Sequence, residues 1–187
     1  MAWYFIVGIV VVVLIIIFIV TYNRLVRLRN QVKNSWAQID VQLKRRYDLI
    51  PNLIETVKGY MKHERETLEA ITKARNLAQQ VASSGPGVRS KAEGELSSAL
   101  ARLLAVVENY PDLKANQNFL ALQEELTSTE NKISFSRQYY NDSVLRYNNR
   151  TQMFPSNMVA SMTGFKASEF FEVSVAGERE APKVSFT

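Results

Sequence analysis

The chain has 187 residues, of which 47% are hydrophobic and 22% are charged, and its net charge is +5. This length is enough for one modest globular domain and a further segment, but not for two large domains. The sequence has no cysteine, which excludes disulfides and thiolate metal sites and is consistent with a reducing, cytoplasmic compartment.

The N-terminal segment AWYFIVGIVVVVLIIIFIVTY, from Ala2 to Tyr22, has no charged side chain. About 20 apolar residues in a helix match the thickness of a bilayer core, roughly 30 Å. A cleaved signal peptide would need a basic start, a shorter apolar run and a small-residue cleavage site, and Met1 to Trp3 holds no Lys or Arg. We therefore predict that residues 1–22 form an uncleaved transmembrane anchor.

Basic residues follow this segment before the first acidic residue, Asp40. The positive-inside rule then places the N-terminus outside and the rest of the chain in the cytoplasm. These residues lie within about 15 Å of the membrane along a helix, close to the reach of anionic lipids. The membrane-flanking basic residues are Arg24, Arg27, Arg29 and Lys33.

Apolar residues recur every seven positions after the anchor, which predicts one long helix with a single buried stripe. Pro51 falls inside the pattern, but the register is the same on both sides, which favours a bend over a break. The breaker cluster VASSGPGVRS then ends this helix. The two apolar lines are Leu25, Val32, Ile39, Leu53 and Tyr60, interrupted by Arg46, and Trp36, Leu43, Ile50, Val57 and Ile71, interrupted by Glu64.

Two further helices are predicted after the breaker cluster. One carries an apolar face and stops at NYPDL, where Pro111 suits the first position of the next helix and Asp112 favours its dipole. The next helix runs to about Tyr147. The apolar positions are Leu96, Leu100, Leu103, Val107 and Tyr110 on the first helix, and Phe119, Leu126, Ile133, Tyr140 and Tyr147 on the second.

This last helix also has a line of polar residues spaced by seven. Each polar residue stands three positions before one of the first four apolar residues of the helix. Polar groups in a helix seam weaken packing but can fix register and the choice of partner. The residues of this polar line, together with Arg46 and Glu64, which interrupt the apolar lines, are the candidate seam or pairing positions. The polar line comprises Asn116, Gln123, Glu130 and Arg137.

The C-terminal part has no sustained pattern. It predicts one or two short helices capped by Ser156 or Ser168, with Gly164 as a stop signal. From residue 172 the tail contains a possible short strand, VSV, and otherwise resembles a frayed terminus.

Long segments of the chain closely resemble the LemA family of bacterial membrane proteins. These are YNRLVRLRNQVKNSWAQIDVQLKRRYDLIPNLIETVKGYMKHERETLEAITKAR, LLAVVENYPDLKANQNFLALQEELTSTENKISFSRQYYNDSVLRYN and FPSNMVA, covering Tyr22 to about Phe171. The resemblance implies a cytoplasmic helical bundle on one N-terminal membrane helix, and it brings no catalytic residues to carry over.

The motifs that usually mark catalysis are incomplete in this sequence. His63 is the only histidine, and Thr67 stands where a zinc-protease helix needs a second one. Glu124, Glu125 and Glu130 lack the Glu-x-x-His partners of a di-iron bundle, and solvated helix faces explain them. SSGPGVRS lacks the P-loop frame, and no serine occupies a G-x-S-x-G elbow.

The segment from Arg24 to Arg46 holds seven bases and one acid, a net charge of +6. Nucleic-acid binding would need free stacking side chains, but Trp36 and Tyr47 follow the apolar stripe. Lys44, Arg45 and Arg46 lie about 30 Å from the membrane and need acidic partners in the protein. Arg46 either pairs with Glu130 inside the bundle or extends its stem to an exposed margin, and both alternatives stand.

The sequence therefore predicts an all-α protein: an antiparallel bundle of three or four long helices attached to one transmembrane helix. Its parts are the anchor at 1–22, a LemA-like cytoplasmic domain at 23–171 and a tail at 172–187. We expect a non-enzymatic, coiled-coil-like scaffold that forms a homo-oligomer at the bacterial inner membrane. The alternative is an adaptor or regulator that binds another membrane or cytoplasmic protein, whose identity the sequence does not give. We expect contact with membrane lipids through the N-terminal helix, no cofactor, no metal and no nucleic acid.

Overall fold

The computed structural model of the chain describes residues 2–61 and 63–172. The predicted all-α class is confirmed: the described residues form helices and connections, with no strand among them. The possible VSV strand and the frayed tail lie outside the described residues. The helices are α1 (Ala2–Lys58), α2 (Arg65–Gln80), α3 (Pro86–Val107), α4 (Pro111–Lys114), α5 (Gln117–Gln152) and α6 (Ser156–Thr163).

The helix α1 continues through Pro51, as the unbroken register predicts. The prediction that it extends to the breaker cluster is wrong, because α1 ends at Lys58 and α2 begins at Arg65. Gly59 follows the last residue of α1, and glycine is among the least favourable residues in a helix. Tyr60, expected on the buried line, is exposed, and its N–H bonds the Val57 carbonyl in a turn.

The predicted third long helix is also divided. Pro111 opens α4 as expected, with Asp112 in its first turn, but this helix is a single turn. The longer helix α5 begins at Gln117, because the Asn116 side chain accepts a hydrogen bond from the Phe119 N–H at 3.1 Å. Asn116 is therefore an N-cap and not a seam residue inside a helix.

The C-terminal helix differs from expectation at one end. Gly164 ends α6 in the left-handed conformation, with φ of 75°, which confirms the stop signal. Ser156 does not cap α6; it is the first residue of the helix, and its hydroxyl donates to the Arg150 and Met153 carbonyls. No helix follows Ser168 within the described residues.

The described chain separates into two compact units. In the first, whose described residues are 2–41 and 134–170, Leu25 of α1 packs on Val159 and Ala160 of α6. Trp36 packs on Tyr140 of α5, with ring centroids 5.1 Å apart. Since later residues of α1 meet earlier residues of the C-terminal segment, the two run antiparallel.

The second unit contains the end of α1, the helices α2 to α4 and the start of α5, and its described residues are 42–61, 63–133, 171 and 172. The predicted apolar lines supply most of its core, and α2 packs against α3. Its fully buried apolar side chains include Leu43, Ile50, Leu53, Val57, Ile71, Leu96, Leu103 and Leu113.

Candidate functional site

A buried charge cluster lies inside the second unit and begins with Arg46. This residue follows Leu43 on the inner face of α1, and its side chain is only 1% exposed. A guanidinium removed from water is costly unless carboxylates and hydrogen-bond acceptors surround it. The exposed alternative for Arg46 is therefore excluded by the structure.

Two carboxylates from two other helices meet the Arg46 guanidinium. Glu93 of α3 forms an ion pair with Nη2, and its side chain is buried. Glu130 of α5 lies 2.6 Å from Nη1 through its Oε1, so the structure brings the predicted pair together. Nη1 also donates a hydrogen bond to the Ser97 hydroxyl at 2.9 Å. One side chain thus joins α1, α3 and α5.

Tyr47 and Arg89 complete the cluster around Glu93. The Tyr47 hydroxyl donates to Glu93 Oε1, and Arg89 Nε lies 4.0 Å from the same oxygen. Arg89 is also buried, and its Nη1 donates to the Ala82 carbonyl at 3.1 Å. Two guanidinium groups therefore face the two carboxylates of Glu93 and Glu130, so the formal charges balance.

The electrostatics of the cluster favour fixed protonation states. Burial lowers the pKa of Arg46, but the charges of Glu130 and Glu93 and their hydrogen bonds outweigh it, and the net pKa is raised. Burial, followed by the hydrogen bond to Glu93, raises the pKa of Tyr47. Both groups keep their protons far above neutral pH. The cluster is suited to holding helices in register and not to proton transfer.

A groove borders the cluster on its exposed side. Glu130 belongs to both: Oε1 binds Arg46, while the side chain as a whole stays 39% exposed. The groove has a volume of about 310 Å³, and predicted seam residue Gln123 lines it. Its apolar lining comes from α1, α3 and α5, namely Leu53, Leu100, Ala101, Leu104 and Leu126.

The other candidate seam residues are dispersed. Glu64 precedes α2 and accepts a hydrogen bond from the Tyr110 hydroxyl, which raises the pKa of that tyrosine. Asn116 caps α5 and donates to the Tyr60 hydroxyl at 2.9 Å. Arg137 lies half-buried on α5 in the first unit. Of the candidate seam residues, only Arg46, Glu130 and Gln123 lie near one another, since Glu130 pairs with Arg46 and lines the same groove as Gln123.

The membrane-flanking basic residues Arg24, Arg27, Arg29 and Lys33 are all exposed on α1. The Arg29 guanidinium carbon lies 4.9 Å from the centre of the Phe165 ring, a cation–π distance. Among the described residues, no group of three or more His, Asp or Glu side chains is placed to hold a metal ion.

Sequence reasoning missed three members of the cluster: Arg89, Glu93 and Ser97. Each is four residues from the next, and Arg89 and Glu93 extend the apolar face of α3 toward its N-terminus. Following the line of Leu96 and Leu100 backwards would have reached charged residues on a buried face. That observation is the signal that identifies a buried pair.

The fold defines a class of protein: a membrane-associated helical protein with one candidate membrane-spanning helix among its described residues. The N-terminal part of α1 is long and apolar enough to cross a bilayer. The chain belongs to the LemA family, whose family model matches residues 35–186. The match begins at residue 35, whereas the resemblance in the sequence begins at Tyr22, and it continues beyond Phe171 to residue 186.

Three relatives are informative. Two are the magnetosome proteins MamQ 1 and MamQ 2 of Paramagnetospirillum magneticum, each 25% identical over 90% of this chain and 71% of the relative. The third, Protein LemA of Metamycoplasma hominis, is 28% identical over 82% of this chain and 72% of the relative.

Proposed function

We propose that the chain is a single-pass scaffold of the bacterial cytoplasmic membrane that works by helix packing and self-association, without catalysis. The observation that carries this proposal is the continuity of α1. Its side chains from Trp3 to Val20 are all exposed, while Leu25, Val32 and Ile39 of the same helix are buried in protein. One helix therefore serves as both membrane anchor and core element.

The proposal assigns residues 1–22 to the anchor, 23–171 to a cytoplasmic bundle and 172–187 to a tail. The exposed basic residues directly after the anchor support a cytoplasmic location of the bundle and an outside N-terminus. Reporter fusions at the two termini test this orientation. An N-terminus facing the cytoplasm would overturn it.

Self-association is supported by apolar side chains left exposed on α5. Phe135 is 72% exposed, and Tyr139, one turn later, is also exposed. Neighbouring apolar residues on one helix face are typical of packing surfaces between subunits. A closed symmetric oligomer would cover this face in every copy.

Light scattering on the full chain in mild detergent tests the scaffold function. We expect one discrete protein mass that is a multiple of 21.3 kDa. The substitution Phe135→Ser should lower that mass, while Val41→Ser, at another exposed apolar position, should leave it unchanged. A monomer at high protein concentration would refute self-association.

A second function, an adaptor that binds a different protein, is favoured by the groove beside Arg46. Its apolar floor and the polar rim of Gln123 and Glu130 would suit an apolar segment of a partner. A photo-reactive residue at Gln123, with Arg102 as the exposed control on α3, distinguishes the functions. A product of twice the chain mass supports the scaffold, and a heterologous product specific to Gln123 supports the adaptor.

A further inference from the structure

The packed part of the first unit begins immediately after the apolar segment of α1. Residues 3–20 are exposed without exception, whereas Thr21 is 5% exposed and Leu25 is completely buried. Leu25 packs on Val159 and Ala160, so α6 lies against the first turn of α1 that leaves the apolar segment.

The height of α6 along α1 places it at the level of lipid headgroups. Leu25 is three residues beyond Tyr22, which corresponds to about 4.5 Å of helix. Headgroups extend about 5–7 Å beyond the hydrocarbon core on each side of a bilayer. The position of Phe165, just after α6, supports this placement at the headgroup level, because its ring contacts that of Tyr22 with the ring centroids 5.8 Å apart.

The surface that α6 leaves uncovered is apolar along one edge. Met158 and Met162, one turn apart on α6, are 58% and 76% exposed, and Phe154, in the turn directly before α6, is 78% exposed. We call these three residues the α6 stripe. The other exposed edge carries Asn157 and Ser161. An apolar edge beside a polar edge is the pattern of helices that lie in a membrane interface.

We propose that the α6 stripe inserts into the lipid surface of the same membrane that holds α1, at the boundary between headgroups and acyl chains. The proposal rests on the proposed anchoring of residues 1–22. A lipid surface fits better than a second copy of the chain, since Arg24 and Arg27, exposed at the same level of α1, complement anionic headgroups. The bundle is then seated on the membrane by two elements, the anchor and α6.

Nitroxide labelling of the full chain tests the insertion directly. The sequence has no cysteine, so single labels can be placed by Met158→Cys and Met162→Cys without other changes. The protein is reconstituted in vesicles of phosphatidylcholine and phosphatidylglycerol. Accessibility to oxygen, which concentrates in lipid, is compared with accessibility to a water-soluble nickel chelate. Helical content and thermal unfolding of each labelled variant are checked first, and Phe154→Cys replaces a variant that does not fold.

Three matched labels control the measurement. Asn157→Cys lies on the polar edge of α6, and Val41→Cys is an exposed apolar position on α1, about 28 Å beyond Tyr22. Val12→Cys reports on the anchor itself. We expect the two methionine positions and Val12 to lose nickel accessibility and gain oxygen accessibility relative to Asn157 and Val41.

Each other outcome overturns the inference in a distinguishable way. Methionine positions as accessible to nickel as Val41, with Val12 in lipid, would refute insertion and leave the anchor intact. A Val12 label accessible to nickel would refute the anchoring and the insertion together. Protection of Met158 and Met162 from both reagents that disappears at low protein-to-lipid ratio would show that a second copy covers the stripe.

Discussion

The buried charge cluster makes a graded prediction about stability. Arg46 meets two carboxylates that differ in burial, since the Glu93 side chain is 6% exposed and that of Glu130 is 39% exposed. The variant Arg46→Met removes both ion pairs, whereas Glu93→Gln and Glu130→Gln each remove one of them. If burial determines the energy of the cluster, the first two changes are severe and the third is mild.

The magnitudes follow from what each change leaves behind. Arg46→Met leaves Glu93 buried with its nearest remaining cation, Arg89 Nε, at 4.0 Å. Glu93→Gln leaves two buried guanidinium groups with one fewer carboxylate. Removing one partner of a buried pair costs about 3–5 kcal/mol. Glu130 is partly solvated, and its neutralisation should cost about 1 kcal/mol.

Thermal unfolding of the full chain in mild detergent, followed by helical circular dichroism, measures these differences. For a chain of this size 1 kcal/mol corresponds to about 2–4 °C, so Arg46→Met and Glu93→Gln should lower Tm by about 6–20 °C. The exposed pair Arg65–Glu69 provides the control, and Glu69→Gln should leave Tm unchanged. A Glu130→Gln variant as unstable as Glu93→Gln, or an Arg46→Met variant as stable as the control, would refute the reasoning.

Three further predictions concern single residues. Gly164→Ala should lower stability by about 1 kcal/mol in thermal unfolding, because its φ of 75° disfavours a side chain. The control Gly87→Ala, within α3 and with open space around it, should be neutral or stabilising. Burial raises the pKa of Tyr140 to about 12 from 10.0, so its contribution to stability is complete below pH 10 and is lost as pH rises toward 12. In an alkaline absorbance titration, Tyr140→Phe should therefore lose one late ionisation, and loss of an ionisation near pH 10 instead would contradict the assignment. Asn148→Ala should expose the segment after α6 to proteolysis, since the Asn148 side chain exchanges two hydrogen bonds, of 2.8 and 2.9 Å, with the Ser168 backbone. An unchanged cleavage pattern would contradict that role.

The sequence predicts buried positions well because burial follows helical period closely. Leu25, Val32 and Ile39 on one line, and Leu43 and Ile50 on the other, are all buried, as the seven-residue spacing within each line indicates. The same spacing is uninformative about helix ends. Val57 and Ile71 are fourteen residues apart, with Glu64 midway between them, and each is buried on a different helix. The seven-residue register therefore continues across the connection between α1 and α2.

Polar residues in the pattern are harder to interpret, because one spacing serves several structures. Asn116 stands three residues before Phe119, which suits a polar seam and equally suits an N-cap bonded to the third residue of a helix. Arg46 and Glu130 were identifiable as partners because both occupy predicted seams. Extending the line of Leu96 and Leu100 reaches Glu93 as a buried charge, but its pairing with Arg46 depends on how α3 packs beside α1.

The uninterrupted course of α1 has a mechanical consequence. Between residues 9 and 50 the helix contains neither glycine nor proline, so no helix-breaking residue separates the apolar segment from the buried Leu25. Each residue turns a helix by about 100°, so one residue inserted after Tyr22 would rotate the apolar segment by that angle against the core around Leu25. Under the proposed anchoring of residues 1–22, a tilt of the apolar segment in the bilayer would act on the packing around Leu25, since no helix-breaking residue lies between them.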